Sequence, residues 1–317
     1  MQTLNVLFAA PHSAWGGFLG KLRQRNPEIN FSATGAFSIP SLQSIDVLIP
    51  TMTRVTQQHF QSADCLKLIQ QVGVGLEGVD IDAARDCSIL VANVPSGESG
   101  NADSVAEMGL YLMLALARDV RSMTRNFSQG IIGAPFGMAL KNKTAGIIGL
   151  GGLGKALCQR LQSMGMKVHG IKRTNHQQAK KDLSLEWSGG IDQLPQLLST
   201  SDFVILCLPD STHTHHLINQ CTLALMKPTA YLINLGRGGL VERDALYAAL
   251  VSNSIAGAGL DVFWQEPPDP SDPVFQQNVV VTPHVAGATD ISSEGILDVI
   301  SENLRRLQSG EKILFTQ

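Results

Sequence analysis

No apolar run in this sequence of 317 residues approaches the ~18 that a membrane-crossing helix needs. The longest candidate, around residues 111–117, is short and follows Glu107. The apolar segment 4–10 has no Lys or Arg before it, so a first β-strand is expected there and not a secretory leader. Charge is sparse at 16% of residues, against ~25% in an average soluble protein. The 24 basic and 27 acidic residues give a net charge of −3, which excludes a generally basic surface for nucleic acid and leaves only a local anion site open. Cysteines number five (Cys65, Cys87, Cys158, Cys207, Cys221), an odd count with no C-x-x-C. That excludes a disulfide framework or zinc knuckle and predicts reduced, mostly buried thiols in a cytoplasmic protein. Aromatics are few, whereas 30 glycines are present, a mixture suited to buried parallel strands joined by glycine-rich βα turns.

At ~150 residues per domain the length implies about two domains. Strand-like apolar runs alternate with helical patterns almost throughout, which predicts an α/β protein with parallel sheets. Strands are expected at 5–9, 47–49, 67–72 and 89–92. The turn-rich segment 95–100 then interrupts the pattern and marks a domain boundary. A long helix is expected over 102–120 with Asn101 as its cap, followed by an arm or long loop over 121–143. A second series of strands falls at 145–150, 167–171, 203–208, 230–235, 256–260 and 279–282, and a last helix at 291–307. Periodicity does not say where that helix packs.

Gly149-Leu-Gly-Gly-Leu-Gly154 contains G-x-G-x-x-G at Gly149, Gly151 and Gly154. A lone match is weak, but here an apolar strand runs into it and an amphipathic helix (153–164) leaves it, the context a dinucleotide site demands. Gly149 permits the tight turn, Gly151 lets backbone N–H groups approach a pyrophosphate, and Gly154 allows helix and strand to close up. An acid ~20 residues on, at the next strand end, would bind a ribose 2′-hydroxyl. The sequence has Lys172, Arg173 and Thr174 there instead. Two cations and a hydroxyl match a 2′-phosphate, so NADP(H) is expected over NAD(H), although a solvated Lys-Arg pair on a loop has the same sequence.

Three polar residues follow apolar strands: Arg237, Glu266 and His284. In an open α/β sheet, strand carboxyl ends line the ligand crevice. Reducing a ketone by hydride transfer needs a proton donor, for which a histidine beside an orienting carboxylate is suited. A guanidinium can grip a substrate carboxylate and polarise the adjacent carbonyl. Taken singly, His284 fits a structural histidine, Glu266 a proline-flanked loop and Arg237 a turn before a helix. Spacing alone does not bring the three together.

With Asn234-Leu-Gly-Arg-Gly-Gly-Leu-Val241, Gly257-Ala-Gly-Leu-Asp-Val-Phe-Trp-Gln-Glu-Pro267, Thr282-Pro-His-Val-Ala-Gly287, Gly73-Val-Gly75 and Ser104-Val-Ala-Glu107 beside the glycine loop, the chain resembles the D-isomer-specific 2-hydroxyacid dehydrogenase family over nearly its whole length. The resemblance implies a Rossmann-type doubly wound parallel sheet in residues 101–289. It also implies a smaller flavodoxin-like α/β substrate domain made of 1–100 and 290–317, and a homodimer built around 101–143. Arg237 would bind and polarise a 2-oxoacid, His284 would be the general acid/base, and Glu266 would pair with it. Asp261 would hold the nicotinamide carboxamide, and the backbone at Val74 and Gly75 the substrate carboxylate. Val105, Gly152, Leu153, Leu208, Pro209, Thr214, Leu235 and Gly236 would complete the cofactor cradle, and Met52 would help set side-chain specificity. The family's usual acidic ribose ligand is absent, and no regulatory extension is expected beyond the last helix.

The activity expected is thus an NADPH-preferring reduction of a small 2-oxoacid. An NAD-dependent D-3-phosphoglycerate dehydrogenase ranks second, because Gln70-Gln71 and Leu76-Glu77 put no cation beside the 73–75 loop. A dinucleotide-sensing binding protein would need no proton donor and ranks third. His213, His215 and His216 fit no closed tetrahedral ligand set, so no metal is expected. Trp15 and His12, after the first strand, either touch substrate or cap a pocket.

Overall fold

A computed structural model describes residues 3–317. The chain divides into two compact units, one of Met1–Asn101 with Ala288–Gln317 and the other of Ala102–Gly287.

The first unit carries strands β1 (Asn5–Phe8), β2 (Asn30–Ala33), β3 (Val47–Ile49), β4 (Leu68–Gln70) and β5 (Leu90–Ala92). They form an all-parallel sheet in the order β2-β1-β3-β4-β5. Period-two alternation divides its side chains between two cores. Val6, Phe8, Val47, Ile49 and Leu68 pack with Leu297, Ile300 and Leu304 of the helix Asp290–Ser309. Leu7, Ala9, Leu48, Ile69 and Val91 pack with Phe60 and Ala84 on the other face. The last helix therefore closes the N-terminal sheet. It is capped by Thr289, whose hydroxyl accepts from Ser292 N–H, and ends at Ser309, two residues further than periodicity implied, with left-handed Gly310 as its C-cap.

The second unit carries β6 (Thr144–Ile148), β7 (Lys167–Ile171), β8 (Trp187–Gly189), β9 (Phe203–Leu206), β10 (Tyr231–Asn234), β11 (Gly257–Leu260) and β12 (Val279–Val281), parallel in the order β12-β11-β10-β9-β6-β7-β8. Ile147, Phe203, Ile205 and Ile233 face one core, and Ile148, Val204, Leu206 and Leu232 the other. Burial on both faces is why these strands read as unbroken apolar runs. The order reverses between β6 and β9, and in the first sheet between β1 and β3. Such switch points are where open α/β sheets bind ligands.

Several expectations need correction. The strands β2 (Asn-Phe-Ser-Ala) and β8 (Trp-Ser-Gly) lie at sheet edges, where no continuous apolar run is required, and periodicity missed both. The long helix begins at Asn101, which is its first residue and not its cap, and stops at Ala117. Asp119, at φ +49, turns the chain, and its carboxylate caps a second helix, Val120–Ser128, inside the segment expected to be an arm or loop. The glycine-loop helix starts at Gly152, one residue early, because Gly151 takes the extended cap position.

Candidate active site

Six of the seven strands in the larger sheet (β6, β7, β9, β10, β11 and β12) deliver a loop with a candidate site residue to its carboxyl edge, and local devices fix these loops. After β6, Gly149 sits at φ +102 and a Cβ there would stand 2.6 Å from the carbonyl oxygen of Cys207, so only glycine lets the β6 and β9 loops touch. A Cβ on Gly154 would lie 2.0 Å from the Gly149 carbonyl oxygen. Gly151 is different: its φ is −79° and a Cβ would meet nothing, so no protein neighbour requires glycine there. The helix Gly152–Ser163 that follows has no side-chain cap, leaving its first N–H groups and the positive end of its dipole facing that open space. A cradle of this form fits the pyrophosphate of a dinucleotide.

At the end of β7, Lys172 N–H is held by the Gly189 carbonyl, while Arg173 and Thr174 are exposed. Among the described residues neither Lys172 nor Arg173 forms an ion pair, and no carboxylate occupies the strand end. After β9, Leu208 and Pro209 lead into a turn tied by the Thr214 hydroxyl, which donates to Pro209 O (2.8 Å) and accepts from Ser211 N–H. His215 lies against Asp210 at 3.2 Å and stacks on His216. Val105 is half-buried on the helix Asn101–Ala117, packed against the core beneath the glycine loop.

The turn after β10 is stapled by Asn234, 1% exposed, whose amide donates to Arg237 O and accepts from Gly236 N–H. Sequence reasoning passed over this residue, although an asparagine closing a buried Tyr-Leu-Ile strand was the signal. Leu235 is buried, and Gly236 lies where a Cβ would approach Leu208 O to 2.5 Å. Arg237 is half-buried, and its guanidinium donates to Gly236 O at 2.8 Å. One residue on, a Cβ on Gly238 would reach within 2.0 Å of Phe263 O, so the β10 loop lies directly on the β11 loop.

That second loop carries Glu266. Its Oε1 accepts from Phe263 N–H (3.1 Å), and its Oε2 meets His284 Nδ1 at 2.7 Å. Burial pushes the Glu266 carboxyl upward. The hydrogen bond and charge of His284, the Phe263 N–H and the Arg237 charge together outweigh burial and leave it below its ordinary value. Arg237, Glu266 and His284, from three different strand ends, thus form one electrostatic group. His284 itself is held at φ +52 with its ring partly open to solvent.

Asp261, at the end of β11, is 2% exposed. Its Oδ1 accepts from the Thr282 hydroxyl (2.6 Å) and Val285 N–H (3.0 Å), and its Oδ2 from Ala286 N–H (3.1 Å). It therefore clamps the loop that bears His284, a function its sequence position did not reveal. Burial raises its carboxyl, the three donors and His284 notwithstanding.

In the smaller unit, Val74 and Met52 are exposed at strand carboxyl ends. The 73–75 loop is pinned by Asn93, whose amide donates to Val74 O (2.8 Å), and by Val94 N–H on Gly73 O. Among the described residues no protein group accepts from the N–H of Val74 or Gly75. The strand beneath ends in buried Gln70, which accepts from Asn303 Nδ2 at 2.7 Å. No helix among the described residues is long and apolar enough to cross a membrane.

Comparison with known proteins places this geometry in context. Residues 110–286 match a family model described as D-isomer specific 2-hydroxyacid dehydrogenase, NAD binding domain. The chain is 34% identical over 283 residues to a glyoxylate reductase of Pyrococcus horikoshii, covering 86% of this chain and 83% of the relative. It is 33% identical over 276 residues to a D-3-phosphoglycerate dehydrogenase of Methanocaldococcus jannaschii, again over 86% of this chain but only about half (52%) of the longer relative. A crystal structure of D-lactate dehydrogenase from Aquifex aeolicus with NAD and lactic acid superposes with a TM-score of 0.85 at 25% identity, covering 97% of this chain and 96% of that one.

Proposed function

The chain belongs to the D-isomer specific 2-hydroxyacid dehydrogenase family, enzymes that act with NAD(P) on the CH–OH group of a 2-hydroxyacid, and from that premise we propose that it is an NADPH-preferring reductase of small 2-oxoacids. The observation that carries this reading is the Glu266–His284 pair at 2.7 Å beside Arg237, at the carboxyl edge of a sheet whose switch point carries the glycine turn.

In this reading Arg237 takes the 2-oxoacid through its carboxylate and draws charge onto the carbonyl oxygen. His284 has Nδ1 committed to Glu266, which leaves Nε2 to give the proton to that oxygen as it becomes a hydroxyl. Glu266 fixes the orientation of the ring. The reduced nicotinamide, when bound, supplies the hydride. Gly149, Gly151, Gly152, Leu153 and Gly154 would hold its pyrophosphate. Leu208, Pro209, Thr214, Leu235, Gly236 and Val105 would line the adenosine and nicotinamide flanks, with the remaining lone pair on Asp261 Oδ2 turned to the carboxamide. The unbonded N–H groups of Val74 and Gly75 would receive the substrate carboxylate, and Met52 its side chain. Lys172, Arg173 and the Thr174 hydroxyl, with no acid among them, support NADPH over NADH through contacts to the 2′-phosphate.

We further assign a homodimer to the 101–143 region. Phe127, Ile132 and Phe136 are 88%, 95% and 101% exposed there, far more apolar surface than a monomer leaves in one short stretch. The five cysteines are free and suit a reducing cytoplasmic setting, but they are not mostly buried as expected: Cys158 is buried, Cys65 and Cys207 are half-buried, and Cys87 and Cys221 are exposed.

The decisive experiment is His284→Ala: reduction is abolished while NADPH binding, read by fluorescence titration, persists. Turnover at the parental rate refutes the mechanism. For the cofactor, Arg173→Ala is expected to raise KM for NADPH and leave that for NADH little changed. Equal kcat/KM for the two cofactors in the parent, with no effect of the substitution, refutes the preference.

A further inference from the structure

The 73–75 loop of the smaller unit offers two backbone donors, and the aim of each is set by the carbonyl that shares its peptide. A trans peptide is planar, so its C=O and N–H point in opposite directions. The Val74 N–H therefore points away from whatever holds Gly73 O, and the Gly75 N–H away from whatever holds Val74 O. Gly73 O accepts from Val94 N–H at 3.0 Å, a contact between backbone atoms that no side chain controls. Val74 O accepts from the side-chain amide of Asn93 at 2.8 Å. One side chain thus orients the peptide that carries the Gly75 donor. Val74 is 44% exposed and Gly75 has no Cβ, so neither packing nor sterics would resist a flip of that peptide.

Asn93 is braced in turn by the segment that follows the last helix. Its N–H donates to Phe315 O at 3.3 Å, Gln317 N–H donates to Val91 O at 3.0 Å, and Thr316 pairs antiparallel with Ala92, so this segment lies along the outer side of β5. The segment is fastened by Asn303, 0% exposed on the helix Asp290–Ser309. The Asn303 amide donates to Leu314 O (3.1 Å) and accepts from Leu314 N–H (2.8 Å), and it also donates to Gln70 Oε1 (2.7 Å). Rearranging such a network would leave buried groups unpaired, which makes it a fixed base. All of these residues belong to one compact unit.

We propose that Asn93 is a positioning residue for 2-oxoacid binding: by holding Val74 O, its amide keeps the Gly75 N–H turned to the substrate carboxylate. The inference rests on the reductase reading above, which gives that carboxylate to Val74 and Gly75. Asn93 acts only through the peptide it holds. The substrate carboxylate keeps its charge throughout hydride transfer, so a donor to it binds the ground state and the transition state alike. Its loss therefore belongs in KM and not in kcat. A hydrogen bond to a charged group is worth roughly tenfold or more in affinity.

The test is steady-state kinetics with NADPH on glyoxylate, pyruvate, hydroxypyruvate and phenylpyruvate, with oxamate as an unreactive competitor, in the parent, Asn93→Ala and Asn93→Leu. Leucine fills the volume of asparagine without its donor, so the pair separates the hydrogen bond from packing. For whichever substrate the parent reduces best, both variants should raise KM by about tenfold or more and keep kcat within about threefold. The inhibition constant of oxamate should rise by a similar factor, and the dissociation constant for NADPH, read by fluorescence titration, should stay at the parental value. Loss of folded enzyme would lower kcat alone, because KM and the inhibition constant do not depend on how much enzyme is active. A KM within about threefold of the parent in both variants, a rise in alanine that leucine abolishes, or a fall confined to kcat overturns the inference and leaves the reductase reading standing. A parent that reduces none of these 2-oxoacids overturns both.

Discussion

Replacing Asp261 with alanine removes the acceptor of three donors at once: the Thr282 hydroxyl and the N–H groups of Val285 and Ala286. The hydroxyl can rotate to another acceptor. The two backbone N–H groups cannot: the Ala286 donor is buried and the Val285 donor half-buried, and at about 1–3 kcal/mol for a donor left unpaired the pair centres near ~4 kcal/mol before the loop relaxes toward water. Allowing about 3 kcal/mol after relaxation, and ~2–4 °C per kcal/mol for a unit of this size, Asp261→Ala should lower Tm by about 6–12 °C. Asparagine is the informative control. Its oxygen can keep Thr282 and Val285, but its amide then faces the Ala286 N–H, so it loses one acceptor and should cost about half as much. Differential scanning calorimetry gives the order parent, Asp261→Asn, Asp261→Ala. Because the clamped loop carries His284, kcat should fall in the same order. A melting temperature for Asp261→Ala within about 2 °C of the parent, or an asparagine variant no better than alanine, would refute the clamp.

Three other outcomes follow from the site. Gly151→Ala should melt like the parent yet bind NADPH more weakly, whereas Gly154→Ala, with its Cβ forced to 2.0 Å from a carbonyl oxygen, should lose both; thermal shift with and without NADPH separates them, and equal melting of the two variants refutes the reasoning. A carboxyl held below its ordinary value adds stability that is fully present above pH ~4.5 and disappears as pH falls through the lowered native value, so Glu266→Gln should flatten the acid decline of Tm below that pH. Parallel declines in parent and variant refute the linkage. Phe127→Glu combined with Ile132→Glu should convert a dimer to monomers in light scattering after gel filtration, and an unchanged mass removes the arm from the interface.

The parallel sheets were legible in the sequence because their strands are buried on both faces, so runs such as Phe203–Leu206 stand out against their flanks. The edge strands Asn30–Ala33 and Trp187–Gly189 were not, since a strand with one partner can alternate or carry serine and glycine at no great cost. The glycine turn was legible because its chemistry is local: strand, Gly149, Gly151, helix. The association of Glu266 with His284 is not local. It depends on β11 and β12 being neighbours and on Gly238 letting the β10 loop settle on the β11 loop, facts of topology that residue spacing does not encode. The clamp at Asp261 was hidden for a further reason: an aspartate at a strand end looks alike whether it faces a ligand or its own fold. Asp119 hid a helix in the same way, since a chain that turns left-handed for one residue and starts again has no periodic trace.

His284 holds its ring in place from a backbone that turns left-handed, at φ +52. For any side chain with a Cβ such a conformation costs about 1–2 kcal/mol, and glycine would occupy it at almost none. Folding and chemistry therefore pull this position in opposite directions. A library of variants sorted only for resistance to heat would drift toward glycine at 284 and yield a sturdier protein with no proton to give. On the proposed mechanism, turnover requires the histidine there, and the margin it must overcome is set by a single dihedral angle.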